Sequence, residues 1–304
     1  MRILIVCNKT LFRSGRNRID SGYYNVFLPL AQLGHEVEFY DTISPKDHNF
    51  LRTVSRFSPD LIFCCLTGDS GFAPYEPLEE IAEITRLGNV KTFNWFCDDT
   101  WRFDSFSSRI CKKFHCCSTP EPSYIQKYKS AGYDNIILGS WHCNRDIVVK
   151  AERETVPIGF CGGMSSDRSD RLSRLGESFK VWCFSGCCYE DMFFNYSSCK
   201  IGVNLSVNSN DPDKKTQMKL RVMEVPNSGS LLISEYTSGI EDLFLPDEEI
   251  ITFKSPEEME EKVKFYLSHD SERLRIAGKG EDRFAKDHQS KVRLARIIEQ
   301  IKKI

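Results

Sequence analysis

Short apolar runs alternate with amphipathic stretches along the whole chain. The runs at 2–7, 36–40, 60–66, 90–96, 114–117 and 135–139 are rich in Ile, Val, Phe and Cys. Runs of this length and composition predict strands buried on both faces. The stretches between them, at 21–33, 46–57, 77–87, 104–112 and 121–131, carry the spacing of helices with one apolar face. Gly34, Gly88 and Gly132 stand just past three of these helices, where a left-handed cap ends the turn. Strand followed by helix, repeated, predicts an α/β fold with a parallel sheet between helical layers.

After Asn144 comes a polar connection, RDIVVKAERET, and a second cycle opens with VPIGFCG. Its strands are read at 157–161, 179–184, 200–205, 230–234 and 249–252. Its helices are read at 167–175, 189–197, 217–224, a short one near 238–244, and 255–268, with 271–286 and 289–303 closing the chain. A length of 304 residues suits two cores. The expected organisation is two Rossmann-like domains, 1–150 and 151–304, with the last helix packing back on the first. The longest irregular stretch, 206–216, is a polar loop.

Composition narrows the classes of partner. Forty-one basic and 43 acidic side chains leave a net charge of −2, so no global field attracts nucleic acid or anionic membrane, and a nucleic-acid acceptor would need a local basic patch. No segment approaches the roughly 20 continuous apolar residues of a membrane span. The opening MRILIVCNKT is too short in apolar length for a secretory signal and reads as a first strand, which points to a cytoplasmic protein. Thirteen cysteines occur singly or as adjacent pairs inside apolar runs, without CxxC spacing, and read as free buried thiols. No metal site is expected.

In open parallel sheets, ligands bind beyond the carboxyl ends of the strands, where loop amides and helix starts converge. The most informative segment at that edge is 219–244, KLRVMEVPNSGSLLISEYTSGIEDLF. A nucleoside diphosphate needs cations or amides for its phosphates and a carboxylate for its ribose hydroxyls. Lys219, Arg221 and the amides of Thr237, Ser238 and Gly239 offer the first, and Glu224 the second. A solvated amphipathic helix with a glycine cap is the competing reading.

This segment, with ITFKSPEEMEEKVKFYLSHDSERLRIAGKG at 251–280, resembles the C-terminal module of the spore-maturation (CgeB-like) glycosyltransferases. The resemblance implies a GT-B fold, two Rossmann-like domains facing across a cleft, with a nucleotide-sugar donor on the C-terminal one. It gives Glu224 the place of the ribose-binding glutamate and Arg221 a phosphate-facing position. Thr216 stands where many related retaining enzymes carry a second glutamate, so the resemblance assigns no stereochemistry. The Gly162-Gly163 turn, with Arg168 behind it, resembles the family's phosphate-proximal loop.

The first domain should then hold the acceptor. Asp98 and Asp99 end an aromatic strand at the ligand edge, where one carboxylate could take a proton from an attacking hydroxyl. Asp99 is read as a helix cap and Asp98 as the base, with Trp101 offering a flat face to a sugar. Arg13, Arg16 and Arg18, in the loop after the first strand, are candidates for an anionic acceptor or for the donor phosphates. Asp211 and Asp213 have DxD spacing, but lie in a polar loop followed by two lysines. A GxGxxG fingerprint is absent, which speaks against a nicotinamide enzyme.

The expected activity is transfer of a hexosyl or pentosyl group from a UDP-, GDP- or dTDP-sugar to a hydroxyl. The nucleotide sugar is a co-substrate, no cofactor is implied, and the acceptor is unassigned. The alternative is a non-catalytic nucleotide-sugar-binding or assembly protein.

Overall fold

The structure, a computed structural model, describes residues 1–11, 18–208 and 215–304. The chain divides into two compact units: residues 1–140 with 290–304, and residues 141–289. The division falls ten residues earlier than the boundary read near 150, because Trp141 to Ile147 pack into the second unit's core.

The first unit is built on strands β1 (Arg2–Cys7), β4 (Glu36–Asp41), β5 (Leu61–Cys64), β6 (Lys91–Trp95), β7 (Cys116–Thr119) and β8 (Ile136–Leu138). They form one parallel sheet in the order β4-β1-β5-β6-β7-β8. A small antiparallel hairpin, β2 (Thr10–Leu11) and β3 (Arg18–Ile19), precedes β4; the apolar pattern gave no sign of it, since each strand is two residues long. Helices α1 (Leu28–Gln32), α2 (Phe50–Phe57), α3 (Leu78–Leu87), α4 (Asp99–Arg102), α5 (Ser108–Ile110) and α6 (Tyr124–Ser130) connect the strands. The helix read at 104–112 is broken into pieces: a wide turn over Phe103–Ser107 interrupts it, and α4 begins five residues earlier. Gly34, Gly88 and Gly132 all have positive φ, between 74° and 84°, where a side chain would be strained.

The second unit has strands β9 (Val156–Phe160), β10 (Val181–Cys183), β11 (Cys199–Asn204), β12 (Leu231–Glu235) and β13 (Ile251–Phe253). They are all parallel, in the order β10-β9-β11-β12-β13. Its helices are α7 (Ser166–Ser178), α8 (Tyr189–Ser197), α9 (Arg221–Ser228), α10 (Pro256–Ser268) and α11 (Asp270–Arg283). One face of the sheet packs on α7, α10 and α11 through Leu172, Leu175, Met259, Val263 and Ile276. The other packs on α8 and α9 through Phe193, Tyr196, Val222 and Val225. Helix α9 is buried along its whole length, contains Pro226, and is closed by Gly229 with a φ of 86°.

Helix α12 (Ser290–Ile301) returns to the first unit and lies against α1, with Leu294, Ile297, Ile298 and Ile301 buried. Among the described residues, no helix is long and apolar enough to cross a membrane.

Candidate active site

In the second unit, the order of strands reverses between β9 and β11, since the chain leaves β9 for the edge strand β10 and then returns to its other side. A crevice outside the carboxyl ends opens at such a switch point. The residues after β9 are Cys161, Gly162 and Gly163, and those after β11 are Leu205 and Ser206.

Arg221, the first residue of α9, reaches both strand ends. Its Nη1 donates to the Cys161 carbonyl at 3.1 Å, its Nη2 to the Leu205 carbonyl at 3.1 Å, and its Nε to Asn204 Oδ1 at 3.0 Å. The guanidinium lies over the Phe160 ring, 4.8 Å from its centre. Gly162 is required where it is, because a Cβ there would stand 2.5 Å from Arg221 Nη1. A guanidinium held by three bonds cannot step aside.

Arg168 approaches the same turn from α7. Ser165 caps that helix by accepting the Arg168 backbone N–H, and Arg168 Nη1 donates to the Gly163 carbonyl at 2.7 Å. Burial, and then the neighbouring charge of Arg221, push its guanidinium down to about 10, which leaves it charged at neutral pH. Its Nε is buried with no hydrogen-bond partner among the described residues. Two cations around one glycine turn repel each other until an anion joins them.

Glu224 follows Arg221 by one turn and so shares its face of α9. It is 6% exposed. Burial raises its carboxyl to about 7, against the opposing pull of Arg221 and a hydrogen bond from Tyr189. Tyr189, the first residue of α8, escaped the sequence reading, although it follows the carboxyl end of β10 and the edge rule would have reached it. Lys219 lies half-buried in the turn before α9.

The segment after β12 departs from expectation. Thr237, Ser238 and Gly239 lead only into a three-residue 3-10 turn, Ile240–Asp242, instead of a helix over 238–244. So short a turn has almost no aligned dipole. Thr237 is buried and Ser238 is exposed. Glu235, at the end of β12, accepts the backbone N–H groups of Ser206 and Val207 and pairs with Arg171 at 2.6 Å, which fixes the loop after β11.

In the first unit, the two neighbouring aspartates separate. Asp99 is fully buried, and the Tyr128 hydroxyl lies 3.0 and 2.9 Å from its two oxygens. Burial raises its carboxyl, while bonds from Thr119, Ser107 and Tyr128 oppose the shift. The expectation that Asp99 caps the helix is corrected: it is the first helical residue, and Asp98 holds the cap position, without a side-chain capping bond. Nor can a carboxylate with no exposed surface reach a substrate as it stands. Asp98 is half-buried. Trp101 is half-buried with the Arg102 guanidinium 4.8 Å over its ring.

Arg18 lies half-buried in β3, whereas Arg13 and Arg16 fall outside the described residues, as do Asp211 and Asp213. Among the described residues, no group of three His, Cys, Asp or Glu side chains is placed to hold a metal ion.

Residues 170–299 match the family model described as glycosyl transferase-like. No curated protein matches the chain. Solved structures do match over nearly their full length. A sucrose-phosphate synthase from Thermosynechococcus elongatus superposes with a TM-score of 0.67 at 11% identity, covering 99% of both chains. A glycosyltransferase from Rickettsia africae gives 0.66 at 12%, covering 99% of this chain and 98% of its own. The Anabaena protein HepE in complex with UDP-glucose gives 0.65 at 10%, covering 100% of both. The fold is therefore GT-B, two Rossmann-like domains with parallel sheets, and its C-terminal part carries a glycosyl transferase-like domain.

Proposed function

We propose that the chain transfers a hexosyl or pentosyl group from a nucleotide sugar to a hydroxyl acceptor. The observation that carries this reading is the pair Arg168 and Arg221 around the Gly162-Gly163 turn at the switch point, with the buried Nε of Arg168 unpartnered. A diphosphate supplies the missing acceptor and relieves the repulsion. As the sugar leaves, negative charge grows on the departing phosphate, and fixed cations stabilise it there more than in the ground state. Lys219 adds to the same field. Glu224, ionised, accepts the ribose hydroxyls. Asp98 takes the proton of the attacking hydroxyl, and Trp101 stacks on the acceptor. Arg13, Arg16 and Arg18 meet an anionic part of that acceptor. The HepE complex makes a uridine nucleotide the first donor to try. The 219–280 segment supports kinship with the spore-maturation glycosyltransferases, and the free thiols a cytoplasmic setting.

The test is calorimetric titration with UDP, GDP, dTDP and NAD in the presence of EDTA. One nucleoside diphosphate should bind and NAD should not. Glu224→Gln should weaken binding tenfold or more, since bonds to a charged acceptor contribute about 1.5–3 kcal/mol. A carboxyl raised to about 7 accepts both hydroxyls fully only once it has lost its proton. Wild-type affinity should therefore rise with pH through 7 and level off above it, and the Gln variant should keep only the smaller rise that comes from ionisation of the ligand's own terminal phosphate. Binding of NAD alone, or of no nucleotide, rejects the proposal.

A further inference from the structure

At the carboxyl edge of the second unit, the sulfurs of Cys161 and Cys187 lie 3.8 Å apart as free thiols, both half-buried. Cys161 joins β9 to the Gly162-Gly163 turn. Cys187 belongs to the turn between β10 and α8, where its N–H meets the Phe184 carbonyl at 3.4 Å. The bond with Cys161 pulls the Cys187 thiol down to about 7, so much of it is thiolate at neutral pH. A second close pair, Cys65 and Cys97, lies in the first unit at 3.4 Å. There the bond with Cys65 and burial push the Cys97 thiol well up, as the bond with Cys187 and burial push that of Cys161; Cys187 is the thiol that is drawn down.

We propose that Cys161 and Cys187 form a dithiol site for low-molecular-weight disulfides, and that its closure to an internal disulfide weakens the nucleotide site. The chemistry stands on the thiol geometry, whereas its effect rests on the nucleotide reading above. In the first step, the Cys187 thiolate attacks one sulfur of a disulfide RSSR, forming Cys187–S–SR and releasing RS⁻, which takes a proton from solvent. In the second, Cys161 loses its proton and attacks the Cys187 sulfur, forming the internal bond and releasing a second RSH. The protein gives up two electrons and two protons, and RSSR becomes two RSH.

Closure must bring the sulfurs from 3.8 Å to about 2.05 Å. The backbone on the Cys161 side of that closure also shapes the anion site. The Cys161 carbonyl accepts from Arg221, the Gly162 carbonyl from Ser185 Oγ at 2.9 Å, and the Gly163 carbonyl from Arg168. Shifting this turn pulls Gly162 out of register with the guanidinium packed against it.

The experiment incubates reduced full-length protein with excess oxidised glutathione, alkylates remaining thiols, maps the peptides by mass spectrometry and titrates UDP. The Cys161–Cys187 link should dominate while Cys65 and Cys97 stay alkylatable. UDP affinity should fall tenfold or more and recover with dithiothreitol. Cys161→Ser should stop at a glutathione adduct on Cys187, and Cys187→Ser should abolish both link and loss. A Cys187 that remains alkylatable, or a link that leaves UDP affinity unchanged, overturns the proposal. If reduced protein binds no UDP, the uridine assignment fails on its own, and the peptide map still accepts or rejects the dithiol chemistry.

Discussion

Asp98 and Asp99 stand side by side at the end of β6, yet their surroundings differ completely. Asp99 is sealed inside with Tyr128, Thr119 and Ser107 as hydrogen-bond partners, and Asp98 keeps some contact with solvent. Asp99→Asn swaps an acceptor for an amide whose N–H₂ finds a hydroxyl cluster built to donate. That should lower unfolding stability by about 1–3 kcal/mol, seen as a reduced urea midpoint. Asp98→Asn should leave the midpoint in place and cut turnover by roughly 10²–10⁴ with donor affinity unchanged. Equal turnover losses in both variants, tracking the folded fraction, would remove the catalytic role from Asp98. Sequence order identified this dyad as the place where carboxylates reach the ligand edge. It put Asp98 forward as the base and Asp99 as a cap, but the residue that holds Asp99 inside, Tyr128, lies 29 positions away and was not foreseen. Tyr189 differs: the edge rule reaches its position, and only its bond to Glu224 depends on the packing of α8 against α9.

Helix α9 carries Arg221 and Glu224, and one of its tight contacts with the sheet is at a glycine. Gly202, in the middle of β11, faces Val225 so closely that a Cβ would lie 2.5 Å from its Cγ1. Gly202→Ala should therefore push α9 outward, costing about 1–3 kcal/mol of stability by overpacking. Affinity for the nucleotide proposed above should fall as well, since the helix moves both site residues with it. Val225→Ala removes the clashing methyl groups, and in the double variant the two losses should be clearly less than additive. Strict additivity in a double-mutant cycle would show that the contact does not position the helix. At this scale much was legible: the strand starts and ends agree with the apolar runs to within two or three residues, since burial on both faces leaves little freedom. Helix ends were less so. The apolar face of 217–224 suggested a helix there, but α9 runs from 221 to 228, because Gln217 to Leu220 instead form the turn that carries the loop back to the sheet.

The two units are not equal pieces cut at one point, for the chain leaves the first at Ser140 and re-enters it at Ser290. Deleting 290–304 should bare the seat of α12 on α1, where Leu294, Ile297, Ile298 and Ile301 are each no more than 5% exposed. Fully burying such a side chain contributes about 1.5–3 kcal/mol, so four of them form a large part of a marginal total. Limited proteolysis of the truncated chain should cut first within residues 1–140, whereas 141–289 should resist as in the full chain. Unchanged resistance of 1–140 would mean that α12 contributes little. A last helix that returns was expected from the fold; the place of its seat was not, since α1 is a five-residue helix preceded by a wide turn and shows little periodicity of its own.

That return also sets a timetable. A ribosome releases residues 141–289 before 290–304, and domains that are complete can fold as they emerge. The second unit can thus reach its native state during synthesis, while the first, made earlier, waits for its final helix with an apolar seat on α1 uncovered. In a cell making this protein, residues 1–140 are the part most in need of protection, and that need ends only when residues 290–304 have emerged.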